Sequence, residues 1–159
     1  LANALDGSIL NNDKSLTDSI MSIAQERVKQ KPEFASVIVP YNLSYALKFG
    51  NKEEVIRILN YYESMKSIND VDRLDIAEAY CKIADAPNAM RVLTSIPYTS
   101  KTRSSLKYMA ILSRTLELNG DFAGALQAYR DFSTTIDSIH MNIFLMIYCF
   151  PKNVMRWRN

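Results

Sequence analysis

"NGDFAGALQAYRDF", residues 119–132, is the stretch whose reading decides the fold. Gly120 stands at a corner, Asp121 follows it, and Ala125, Leu126, Tyr129 and Phe132 then recur at helical spacing. Glycine just past a helix end takes the left-handed conformation at low cost. Aspartate after it caps the next helix. The stretch therefore predicts a tight corner between two helices, with the second opening at Asp121.

The cadence recurs. "IADAPNAMRVLTSI" (83–96) has Ala84 at the corner, then Asp85, Ala89, Met90, Leu93 and Ile96. "FGNKEEVIRILNYY" (49–62) has Gly50, then Asn51, Val55, Ile56, Leu59 and Tyr62. Val55, Ala89 and Ala125 are spaced 34 and 36 residues apart. The segments before the corners also read as helices. "VDRLDIAEAYCKIA" places Leu74, Ile76, Ala77, Tyr80 and Ile83 near one face, and "SSLKYMAILSRTLEL" puts Leu106, Met109, Leu112 and Leu116 on one stripe. A short turn between such helices makes them antiparallel neighbours.

A helix pair repeated every ~34 residues is the signature of tetratricopeptide repeats. Over residues 34–136 the chain resembles that family, through Ala77, Tyr80, Ala89 with Met90, Ala125 with Leu126, and the corner glycines Gly50 and Gly120. The resemblance implies an all-α fold, a right-handed superhelix of antiparallel helix pairs with about seven to eight helices. The first copy departs from the pattern at Leu43 and Val55, and Pro40 predicts that its first helix starts late or kinks. The second copy lacks the corner glycine, and its Pro87 suits a first helical turn. The expected organisation is one helical domain: a helix or half repeat over 1–32, three helix pairs over 33–138, and an apolar helix with a basic tail over 139–159.

In the N-terminal part, "KSLTDSIMSIAQERVKQ" (14–30) puts Leu16, Ile20, Ile23 and Ala24 on one face. Asn12 or Asp13 can cap it, and Pro32 ends it. A short helix over residues 1–10 is weakened by Asp6-Gly7.

Composition fits this reading. The chain has 159 residues, enough for one domain with a real core, and only 4 glycines and 5 prolines. A formal charge of +2 gives no electrostatic case for nucleic acid, and "SKTRSSLKY" reads as the polar start of a helix. Cys81 and Cys149 form neither a disulfide framework nor a metal cluster. No run reaches the ~18 apolar residues of a membrane span.

Enzyme chemistry finds no constellation. His140 is the only histidine, which excludes zinc sites built on histidine pairs. Cys81 reads as a core or groove residue, and no glycine-rich phosphate loop is present. Asp72 with Asp75 and Glu53 with Glu54 read as solvated helix faces, and "NLS" (42–44) falls in a helix. The chain is expected to be non-enzymatic and to need no cofactor or metal.

The apolar run from Ile139 to Phe150, followed by "PKNVMRWRN", admits four readings. It is a last helix packed over the third pair, a surface for self-association or a partner, a membrane-proximal stub with Lys152, Arg156 and Arg158 near head groups, or a truncated or altered reading of a longer chain.

Such superhelices bind extended peptides or helices in a concave groove lined by the first helix of each pair. The resemblance places Tyr41, Ser44 and Lys48 there from the first pair, Leu74, Asp75, Glu78 and Lys82 from the second, and Lys107, Ile111, Arg114 and Glu117 from the third. The family's carboxylate clamp is absent, because its positions hold Pro40, Ser44, Leu74 and Glu78. The expected function is a protein-interaction scaffold for a peptide or partner protein. The alternative is a sensory or regulatory segment outside the cytoplasm, similar to the repeat regions that precede a membrane helix in bacterial signalling regulators. The start at Leu1 slightly favours an exported location with a removed signal.

Overall fold

The computed structural model of the chain describes residues 2–133. Eight α-helices occur there: α1 (Ala2–Leu10), α2 (Lys14–Gln30), α3 (Ala35–Phe49), α4 (Lys52–Glu63), α5 (Asp70–Lys82), α6 (Ala86–Ser95), α7 (Leu106–Leu118) and α8 (Phe122–Ser133). Short 3-10 turns, Pro32–Phe34 and Lys101–Ser104, precede α3 and α7. The described residues contain no strand, so the fold is all-α. None of their helices is long and apolar enough to cross a membrane. Residues 139–159, with His140 and Cys149, lie outside the described residues.

The corners explain why the helices stop and restart. Asn12, Ala84 and Gly120 have φ of 59°, 59° and 79°, all left-handed. At each, the next residue's N–H reaches back to the last turn: Asp13 to the Ser8 carbonyl (3.0 Å), Asp85 to Tyr80 (2.9 Å), Asp121 to Leu116 (2.9 Å). The left-handed residues bond to Ile9, Cys81 and Glu117 in the same way. These paired bonds are the Schellman closure. The aspartate carboxylates then cap the next helix, accepting from the N–H of Leu16 (3.0 Å), Asn88 (3.3 Å) and Gly124 (2.8 Å).

Gly50 departs from the expectation. Its φ is −92°, which any residue can adopt. Its glycine is required by crowding: a Cβ there would sit 2.8 Å from the Ala46 carbonyl oxygen and 2.7 Å from Glu54 Oε2. Asn51 still caps α4, accepting from the Glu54 N–H at 2.9 Å.

Ala84 holds a left-handed conformation that disfavours a side chain. Ala84→Gly should therefore raise stability by about 0.5–1 kcal/mol, and Gly120→Ala should lower it by about as much or more. Chemical denaturation of the two variants checks both signs.

The described residues form two compact units, divided between Asn69 and Asp70. In the first, α1 packs on α2 and α3 on α4, and α3 also touches both α1 and α2. In the second, α5 packs on α6 and α7 on α8, and α7 also touches both α5 and α6. Each unit thus repeats one rule: the first helix of a pair lies against both helices of the pair before it.

The repeat also holds at the residues where paired helices meet. Thr17, Val55, Ala89 and Ala125 each lie four residues past a capping residue, and all are buried. Leu5, Leu43, Ala77 and Ser113 stand twelve residues before them, and all four are buried too. Ala77, Ala89, Ser113 and Ala125 are all small, and Ser113 Oγ lies 3.4 Å from the Ala125 carbonyl oxygen between α7 and α8. The first unit puts larger residues, Leu5/Thr17 and Leu43/Val55, at the same places. The N-terminal segment is therefore a full pair, α1 with α2, carrying Thr17 where α4 carries Val55 and the pairs of the second unit carry alanine. Pro40 does not delay α3, which begins ahead of it at Ala35.

Candidate functional site

The second unit gathers the charged candidates. α5 places Asp75, Glu78 and Lys82 at spacings of three and four, so they share a face. α7 lies alongside and supplies Lys107. Its ammonium pairs with Asp75 and with Glu78 Oε2 at 3.2 Å. Lys82 holds the same Glu78 from its own helix at 2.8 Å. Further along α7, Arg114 pairs with Glu117 at 2.7 Å. Asp75, Glu78, Lys82 and Lys107 are thus one network across two first helices.

The network tunes its own members. Partial burial would raise the Glu78 carboxyl, but Lys82 and Lys107 outweigh it and hold the group below its ordinary value of 4.5. Burial would lower the Lys107 ammonium, but Asp75 and Glu78 outweigh it and lift the group above 10.5. These side chains are one third to one half exposed, so each pair contributes little to stability in water. The signs are still definite. Glu78 stabilises the fold above pH 4.5, and that contribution fades as pH falls through its depressed folded value. Lys107 contributes below pH 10.5 and loses its contribution as pH rises through its raised folded value. In Lys107→Met both slopes should flatten, as measured by denaturant midpoints at low, neutral and high pH.

Two candidates on these helices serve packing. Leu74 and Ile111 are only 3% and 6% exposed, so they do not offer a free surface. Their helix faces turn inward where α5 and α7 pack on their neighbours. Cys81 is buried nearby, with Sγ 3.1 Å from Thr115 Oγ1. Burial pushes its thiol up, which makes it inert at neutral pH.

The candidates on α3 have other work. Tyr41 is half-buried against the cluster of Leu5, Ile20 and Met21, and burial raises its hydroxyl, with a further push from Asp6. Lys48 donates to the Ile9 carbonyl at 2.6 Å, near the C-terminal end of α1. A cation there complements the helix dipole. Ser44 is exposed.

A feature absent from the sequence reading lies in the first unit. A cleft of about 570 Å³ opens between α2, α3 and α4, with Met21, Tyr45, Ile58 and Tyr61 among its lining residues. At one side Tyr45 donates its hydroxyl to Asp18, which Lys14 also holds at 2.9 Å. That hydroxyl, and then Lys14, keep the Asp18 carboxyl below its ordinary range. None of the eleven groove candidates lines this cleft. No local pattern announces it, because it depends on which side chains from three helices leave space between them.

Among the described residues, no group of three or more histidine, cysteine, aspartate or glutamate side chains is placed to hold a metal ion. No protein-family model matches the chain, and neither does any curated protein or any solved structure.

Proposed function

We propose that the chain is a non-enzymatic interaction scaffold, a tetratricopeptide-like superhelix whose first helices bind an extended peptide or partner protein. The observation that carries this reading is the network of Asp75, Glu78, Lys82 and Lys107 across α5 and α7. A row of both signs, held in place before a partner arrives, reduces the ordering needed on binding. Its charge pattern discriminates between partners more than it adds raw affinity. The repeated corners support the same reading, since they close helix pairs in the same way, so that equivalent first-helix positions recur along the chain.

The test is selection of peptides from a displayed random library against the full chain. Affinities are then measured for the wild type and for Lys82→Glu with Arg114→Glu, both exposed positions. The expected result is a loss of tenfold or more, and a steeper salt dependence in the wild type. Selected peptides that bind both proteins equally, or a selection that yields no binder, would count against the groove. A loss instead caused by Asp18→Asn or Tyr61→Ala would move the site to the cleft of the first unit.

A further inference from the structure

Within the first unit, α3 packs on both α2 and α4, while α2 and α4 do not pack closely on each other. The cleft of about 570 Å³ lies between the three. That volume is in the range of sites that hold a ligand group. Its lining on α2 runs from Asp18 to Gln25, and on α4 from Glu54 to Tyr61. Each wall is therefore about 10 Å long. About three extended residues of a polypeptide fill that length. Tyr45 of α3 lies between the walls.

The lining suits a cation. Two carboxylates, Asp18 and Glu54, stand there against one guanidinium, that of Arg57. Arg57 is 3.9 Å from Glu54, beyond hydrogen-bond reach, and its side chain is 78% exposed. Among the described residues no other cation pairs with Glu54, and none lies over the Tyr61 ring. Aromatic faces beside carboxylates attract ammonium and guanidinium groups. One edge of the cleft uses this chemistry already. The Lys14 ammonium holds Asp18 at 2.9 Å and lies 5.6 Å from the Tyr45 ring centre, although Lys14 does not line the cleft. Arginine fits the rest better than lysine, because its planar head stacks on a tyrosine ring while its edge bonds a carboxylate. The chain makes such a stack elsewhere, with Arg103 3.9 Å from the centre of the Tyr98 ring. We infer that the cleft binds a short extended segment of a partner polypeptide through an arginine side chain, with Asp18 and Glu54 facing its charge and Tyr45 and Tyr61 its planar head. This site is separate from the charged face of α5 and α7, and neither reading depends on the other.

Amide chemical shifts of the full chain test it. The probe is the peptide acetyl-Gly-Arg-Gly-amide, and its citrulline counterpart is the neutral isostere. The arginine peptide should shift amides of α2, α3 and α4 saturably, and the citrulline peptide should bind about tenfold more weakly or worse. Glu54→Gln should weaken the arginine peptide by about threefold or more, and Arg57→Gln, which removes the one cation of the lining, should tighten it. Lys82→Glu with Arg114→Glu should leave this binding unchanged, which separates the cleft from the groove. The comparison of the two peptides on the wild type needs no variant, so it stands even where a substitution disturbs folding. Four results would overturn the proposal: no saturable shift, equal binding of the citrulline peptide, shifts confined to α5 and α7, or weaker binding by Arg57→Gln. Tighter binding of free spermidine than of the arginine peptide would also overturn it and assign the cleft to a small amine.

Discussion

Leu93→Ala should lower stability by about 2–5 kcal/mol, a drop of roughly 4–20 °C in melting temperature for a chain of this size. Leu93 has no exposed surface, and α6, which carries it, packs against both α5 and α7. Removing its isobutyl group takes away the transfer energy of burial and leaves a cavity that the flanking helices close only in part. The high end applies if the helices cannot close in. α5 and α6 pack closely and bury the small Ala77 and Ala89, so little slack remains to absorb the loss. Thr94→Ala, at the adjacent exposed position, should cost well under half as much. A Leu93→Ala protein that melts with the wild type would show that α6 does not pack as described.

Ala125→Leu should destabilise by about 1–3 kcal/mol through overpacking. Ala125 is 7% exposed, and its carbonyl faces Ser113 of α7 across the point where the two helices meet. Three added carbons have no room there without driving α7 from α8. Two positions earlier, Ala123 is exposed, so Ala123→Leu should be near neutral. Ala89→Leu, at the equivalent place in α6, should behave like Ala125→Leu. The contrast between positions 123 and 125 measures the helix register directly. Equal melting temperatures for the two leucine variants would contradict the repeat alignment, whatever the absolute stability.

The helices and their corners were legible in the sequence because their causes are local. A capping aspartate acts on an N–H three residues away, and a left-handed residue closes bonds within one turn. The cadence of Gly120-Asp121 and Ala84-Asp85 could therefore be read without knowing any neighbour. Asn12-Asp13 uses the same chemistry, yet its pair was legible only in part. Thr17 and Leu5 replace the small residues that mark the pairs of the second unit, and Asp6-Gly7 argues locally against α1. Packing of α1 on α2 and α3 overrides that propensity, since burial of Leu5 outweighs one poor helix former.

The charged face was legible as residue types at helical spacing, but not as a network. Spacing along α5 aligns Asp75, Glu78 and Lys82, whereas the arrival of Lys107 depends on how α7 lies against α5. Tertiary structure also decided which candidates face water. Leu74 and Ile111 share helix faces with charged residues and are nonetheless buried, and Lys48 is drawn to the end of α1. By itself, then, the sequence determined where the capped corners fall, because hydrogen bonds within one turn decide that, but not the start of α3 or the formation of α1. Tertiary structure alone decided which side chains pair, which are buried and where a cleft opens, because those depend on groups dozens of residues apart meeting in space.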